Sequence, residues 1–307
     1  MTSGVRAVCL TRSAALRRTL RRTFHATGTD VEFADDLTGA DPADAVIVVD
    51  RAACTGLGEA GVARIADSRG LIVIGGSIED DEVLTALRRA RWNHAILEPE
   101  EPEDTELVVT TTKLRSGDLF GLEKYLAWGV SIDERTVTDY DGKRDAVEAV
   151  AASAREAGAR RTTVARIENV TDELLMNALY DAPAAALGER ATGATPWSTA
   201  PGKPVRLRWA CDGRHFAVSV EDGYGALTKA DILDHLAAAR ARRGAPRTGS
   251  DGRAGAGLGL YFVLAAVTRF VANLEAGQRT EVVCLFDLRL SGIASEACAR
   301  SLHVFGA

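Results

Sequence analysis

The chain has 307 residues, 46% hydrophobic and 26% charged, with a formal net charge of −6. That length and balance describe an ordinary globular protein with room for two domains, each able to bury its own core. An acidic chain is poorly suited to nonspecific nucleic-acid binding, and no run approaches the ~20 apolar residues of a membrane span, so neither role is expected.

The five cysteines (Cys9, Cys54, Cys211, Cys284, Cys298) are scattered without a CxxC pair, as are the five histidines. This pattern predicts reduced thiols in a cytoplasmic protein and gives no support to a structural metal. The N-terminus spreads arginines along a helical stretch without an apolar core, so no cleaved leader is expected.

Short β-branched runs alternate with helical stretches through the first hundred residues. Val5 to Leu10 reads as a strand, Ala14 to Phe24 as a helix, and Val31 to Phe33 as a weak strand. Val46 to Asp50 is a strand ending in a carboxylate, and Leu71 to Ile74 is another, followed by Gly75-Gly76-Ser77. A helix from Asp80 to Ala90 leads to a last strand at Ala95-Ile96-Leu97. Continuously apolar strands separated by helices predict a parallel, doubly wound α/β sheet over residues 1–103.

This layout resembles a response-regulator receiver domain, a flavodoxin-like fold, with Asp50 at the phosphoacceptor position. The acidic pair after the first strand is replaced by Thr11-Arg12, and the lysine-proline pair by Glu98-Pro99. Without those groups nothing offsets the charge on a transferring phosphoryl group. The resemblance therefore implies a degenerate receiver, a docking or dimerisation surface in which Asp50 is a strand-end carboxylate.

Glu98 to Asp104, rich in prolines and like charges, breaks periodicity as a linker does. Residues 104–129 read as a connector. Leu119, Leu122, Leu126 and the intervening aromatics suggest a helix whose apolar face could cover a core, bridge domains or pair with another copy in a homodimer. A second domain is expected over 130–292, opening with a strand at Val130 to Val137 and an Ala-rich helix at Asp145 to Ala157, and a tail over 293–307.

The next helix carries chemistry. Ile167, Val170, Leu174 and Ala178 form an apolar stripe, while Glu173, Asn177 and Asp181 recur every four residues on one polar face. A carboxylate beside a neutral amide oxygen can orient a nucleophile and ligate Mg²⁺. After a Gly/Pro/Ala/Thr-rich loop (Pro183 to Pro204), Val205 to Trp209 and Phe216 to Val220 alternate as antiparallel strands, the second running into Glu221-Asp222-Gly223-Tyr224-Gly225. A strand-end carboxylate before two glycines suits the close approach of a flat ring and its amine. A helix with a basic end (Ala230 to Arg243) and a Gly/Arg/Ser-rich stretch (Gly244 to Arg253) lead to Gly255-Ala256-Gly257-Leu258-Gly259-Leu260. Bare backbone N–H groups running into a helix there suit phosphate. Gly277-Gln278-Arg279-Thr280 then enters the last strand.

In this order the motifs resemble the ATP-binding domain of the GHKL superfamily, which includes histidine kinases, gyrase-type topoisomerases, heat-shock chaperones and anti-sigma serine kinases. The resemblance implies a Bergerat-type α/β sandwich that binds ATP and Mg²⁺. It gives Asn177 to the metal and Glu173 to the role of base or water-positioner, with Asp181 on the same binding face. Gly255, Gly257, Leu258 and Gly259 would embrace the phosphates, Gly223 and Gly225 would shape the adenine wall, and Thr280 would add a hydroxyl beside it. The family pattern is Asp-x-Gly-x-Gly, whereas here the aspartate directly precedes the first glycine. Either Asp222 or Glu221 would accept the adenine amine, and strand alternation leaves both open; Asp222 is taken.

No histidine lies between His94 and His215, where an autophosphorylating kinase would carry its acceptor, and His25 reads as a helix-end residue. Two functions then compete. One is a serine/threonine kinase acting on a signalling partner, as in the anti-sigma kinases; the other is an ATP-dependent interaction module without phosphotransfer.

Overall fold

The computed structural model describes residues 5–65, 68–76, 87–88, 92–96, 104–186, 203–243, 259–289 and 300–306. The chain divides into two compact α/β units: residues 1–119 with 300–305, and residues 120–299 with 306–307.

In the first unit five strands run parallel: β1 (Arg6–Leu10), β2 (Asp30–Ala34), β3 (Val46–Asp50), β4 (Gly70–Ile74) and β5 (Trp92–Ile96). Their order is β2-β1-β3-β4-β5. Both faces are covered, so β3 and β4 are buried along their lengths except at Asp50, which ends β3, as continuous Val/Ile runs require. One face packs Val8, Ile47 and Val73 against Ile65 and Leu57 from α2 (Arg51–Gly56) and α3 (Gly58–Ile65) with the turn between them. The other packs Cys9, Val48 and Ile72 against Leu20 and Phe24 of α1 (Ala14–Ala26) and Leu107 of α4 (Asp104–Ser116). The helix expected at Asp80 to Ala90 lies outside the described residues except 87–88, as does the linker at 98–103.

In the first unit two stretches depart from the sequence reading. Residues 104–116, read as connector, form α4 and close the first unit. The Val108-Val109-Thr110-Thr111-Thr112 run has poor helix propensity, but burial of Leu107, Thr110 and Thr111 outweighs it. The second is within the tail, where Ser301–Phe305 forms β11, antiparallel to β5. There His303 Nδ1 lies 3.3 Å from His94 Nδ1 and its Nε2 lies 3.0 Å from Glu106, with the Lys113 ammonium over the Phe305 ring. Buried polar side chains thus fix a strand that hydropathy alone did not mark.

The second unit is an antiparallel sheet of β6 (Asp133–Val137), β7 (Val205–Cys211), β8 (His215–Asp222), β9 (Arg269–Glu275) and β10 (Arg279–Asp287), ordered β9-β10-β8-β7-β6. Helices α5 (Tyr140–Glu156) and α6 (Arg161–Met176) lie side by side over one face. The short helix α7 (Ala182–Ala186), α8 (Lys229–Arg243) and α9 (Gly259–Ala266) complete that layer. The helix expected from Leu119 to Trp128 is only a 3₁₀ turn at Leu122–Tyr125. Gly121 takes φ 118° and donates its N–H to the buried Glu281 carboxylate at 2.9 Å, which stops a helix from starting earlier. Ser219 and Asn273 donate to the same carboxylate, each at 2.9 Å, anchoring the turn to the sheet face opposite the helices. Cys9, Cys54, Cys211 and Cys284 are not joined in disulfides among the described residues. No helix among the described residues is long and apolar enough to cross a membrane.

Candidate functional site

A cavity of about 690 Å³ opens in the second unit between the helix layer and β8–β10, lined by Glu173, Asn177, Asp181, Asp222, His235, Gly259 and Thr280 among others. Its geometry follows from two local features. Helix α6 does not continue as a regular helix past Met176: Asn177–Asp181 is a π turn, closed by the Ala182 N–H on the Asn177 carbonyl. Such a widened turn costs regular hydrogen bonding and is frequent at functional sites. The polar face read as an evenly spaced helix is therefore bent at the residues that line the cavity.

The second feature is strand register. Asp222 on β8 stands opposite Thr280 on β10, and Glu221 opposite Glu281. Because side chains alternate along a strand, Asp222 and Thr280 share the cavity face while Glu221 and Glu281 share the other. Glu221 lies 3.8 Å from Arg206 on that far face. Of the two carboxylates the motif left open, the structure brings Asp222 to the cavity.

Asp222 Oδ1 accepts the N–H groups of Tyr224 at 2.8 Å and Gly225 at 3.2 Å, shaping the turn. Burial nevertheless pushes its carboxyl above the ordinary aspartate range, with those N–H donors and Lys203 opposing the shift. Thr280 is 2% exposed, and its hydroxyl has no hydrogen-bond partner among the described residues. A buried unpaired hydroxyl is costly, and one that faces a cavity marks where a ligand can supply the missing bond.

Glu173 sits at the other end. A Cβ placed on Gly259 would fall 1.5 Å from Glu173 Oε1, so the carboxylate rests against bare glycine backbone at the start of α9. Burial raises the Glu173 carboxyl above the usual range, reinforced by Asp181 and Asp172 and opposed by Lys143 and His235. Burial likewise raises Asp181, with His235 opposing. Behind them the buried Lys143 of α5 donates to Asp172, which fixes the two helices' register.

Among the described residues Gly259 is the one expected glycine in the cavity lining; Gly255, Gly257 and Leu258 lie outside the described residues, as does the basic stretch Gly244 to Arg253. Gly225 has a structural reason to be glycine. At φ 60° a Cβ would meet the Glu275 carbonyl at 2.3 Å and the Gln278 nitrogen at 2.6 Å, and its own carbonyl accepts the Gly277 N–H at 3.0 Å. At Gly223 the three described atoms nearest an added Cβ all belong to Lys203, with its Cβ at 3.4 Å.

Sequence reading missed Asp231 and His235. They lie four residues apart and so on one face of α8, a spacing that a search for polar i,i+4 pairs would have flagged. Reciprocal capping sets that face: the Asp231 N–H donates to Thr228 Oγ1 at 3.2 Å, and the Thr228 N–H to Asp231 Oδ2 at 2.9 Å. The cavity thus joins two carboxylates of raised pKa and an amide at one end to a buried carboxylate and, at the other, a hydroxyl without a partner among the described residues. Comparison of the chain with protein-family models and with curated proteins finds no match to either.

Proposed function

We propose that the second unit is a GHKL-type, Bergerat-fold ATP-binding domain, and that the protein is a signalling kinase that phosphorylates a partner on serine or threonine. The observation that carries this reading is the convergence of Glu173, Asn177, Asp222 and the Thr280 hydroxyl, which has no partner among the described residues, on one cavity, from motifs spread over more than a hundred residues. In this reading Asp222 accepts the exocyclic amine of adenine and Thr280 completes its own hydrogen bonding on the ring. Asn177 offers its amide oxygen to Mg²⁺. That ion takes most of its ligands from phosphate and water, so a single protein oxygen suits it. When bound, Mg²⁺ offsets charge on the phosphates.

Glu173 performs the work of a general base. A carboxyl held above its ordinary pKa is better matched to accepting a hydroxyl proton near neutral pH than an exposed glutamate. Gly259 leaves room beside it for backbone to approach phosphate, and the expected loop at Gly255 and Gly257 extends that wall.

The first unit is read as a receiver-like, flavodoxin-type domain that docks a partner rather than taking a phosphoryl group. Asp50 Oδ1 already accepts the Ala53 N–H at 2.8 Å as the cap of α2, and Thr11-Arg12 supplies no metal ligands. Calorimetric titration with Mg-ATP tests the reading. Wild-type protein should bind, and Asn177→Ala should lose at least about tenfold, since losing even an outer-shell partner of a metal ligand typically costs about ten- to a hundredfold. Equal binding by the variant overturns it. Labelled ATP with candidate partners then separates a kinase, whose transfer stops in Glu173→Gln, from an interaction module that binds without transfer.

A further inference from the structure

The cavity's described lining is acidic: Glu173, Asp181, Asp222 and Asp231 all contribute to it. A polyphosphate entering such walls meets repulsion that a single Mg²⁺ only partly offsets. Among the described lining residues, His235 alone can carry positive charge. Its place along the cavity is also defined. It acts electrostatically on Glu173 and Asp181, whereas the charged neighbours of Asp222 are Glu221 and Lys203. His235 therefore belongs to the end where Glu173 rests on Gly259, away from the Asp222–Thr280 end.

The geometry points to His235 as the residue that distinguishes a nucleoside triphosphate from a diphosphate, by placing an imidazolium on the terminal phosphate. This assignment rests on the ATP reading of the site and deepens it. An imidazolium paired with phosphate makes charge-assisted hydrogen bonds, and the bare imidazole makes weaker ones. The acidic groups that share this part of the cavity are Glu173 from α6 and Asp181 from the π turn, with Asp231 one turn earlier on α8 itself; the sequence of α9 has no charged residue. Asp222 lies at the far end, opposite Thr280.

The test is calorimetric titration of the full chain with Mg-ATP and Mg-ADP at about pH 6 and about pH 8, on either side of an ordinary histidine's midpoint. The terminal phosphate's own titration is common to all variants and cancels between them. Wild type should bind ATP about tenfold more tightly than His235→Gln at the lower pH, narrowing to about twofold at the higher, with ADP affinities alike throughout. His235→Lys, which keeps its charge across this range, should hold the ATP preference at both pH values and covers a packing defect in the glutamine variant. An unchanged, pH-dependent preference in His235→Gln overturns the assignment. So does an equal loss of ATP and ADP binding, which would make His235 a mere support of the wall. Failure of the underlying reading looks different: wild type binds neither nucleotide, or Asn177→Ala binds as wild type does.

Discussion

Each unit holds a cavity of about 690 Å³, and the two differ in what their polar groups are already doing. The cavity in the first unit opens at the carboxyl ends of β1, β2 and β3, where open α/β sheets commonly bind ligands. Its polar lining is largely spent on the fold. Asp50 caps α2, Asp36 Oδ1 accepts the Thr38 N–H at 2.7 Å, and Thr11 Oγ1 accepts the Ser13 N–H at 3.1 Å. The Arg64 guanidinium donates to the carbonyls of Thr38 at 3.2 Å and Ala40 at 2.8 Å. In the lining of the second cavity the buried Thr280 hydroxyl lacks a partner among the described residues, and burial holds three carboxyls above their ordinary range. Size and position do not separate the two cavities; unmet hydrogen-bonding demand does.

The sharpest way to break that contrast is at the two adjacent carboxylates of β8. Asp222→Asn swaps an acceptor for an amide that can present a donor to the adenine amine, and should weaken ATP binding about thirtyfold, the scale of losing a hydrogen bond to a charged group. Glu221→Gln, on the opposite sheet face beside Arg206, should change affinity by less than about twofold, since its ion pair is a partly exposed one. Calorimetry on both variants decides it, and a reversed pattern would mean that the strand register misassigns the cavity face.

That pair also shows what the sequence could and could not carry. Alternation along β8 put Glu221 and Asp222 on opposite faces but could not say which face met the helices; pairing with Thr280, nearly sixty residues away, decides that. Apolar runs such as Val46–Asp50 and Gly70–Ile74 were legible because strands buried on both faces need them. β11 and α4 were not. Ser301–Phe305 carries a histidine whose burial depends on His94 and Glu106, and the Val/Thr-rich stretch of Asp104–Ser116 is helical only through packing. The Glu173–Asn177–Asp181 spacing was visible as one helical face, but not its π turn, because i→i+5 bonding leaves no periodic mark over a single turn.

A smaller effect is expected where Glu173 meets Gly259. A methyl at 259 would overlap Glu173 Oε1, so Gly259→Ala must push the carboxylate aside without touching the adenine end. Phosphotransfer should fall about tenfold, as a misplacement of about 1 Å near the chemistry can cost even more, with ATP affinity changed by less than about threefold. The same carboxylate sets the pH profile. A base works deprotonated, and burial raises the Glu173 carboxyl, so activity should disappear as pH falls through a midpoint above the usual glutamate range. A transfer rate in Gly259→Ala that matches wild type across that profile would separate Glu173 from the reaction.

The smallest effects test unmet demand directly, in the protein without ligand. Thr280→Val keeps shape and removes the hydroxyl that has no partner among the described residues. Relieving that desolvation should stabilise the ligand-free second unit by about 1 kcal/mol, while ATP binding weakens about fivefold. Asp50→Ala should do the opposite in the first unit: loss of the cap on Ala53 destabilises it by about 1 kcal/mol and leaves ATP affinity unchanged. Urea unfolding of each variant, read beside its titration with ATP, gives both signs. A valine at 280 that lowered stability would mean the hydroxyl is already bonded within the fold. The second cavity would then be as self-satisfied as the first, and the argument for a ligand there would lose its strongest support.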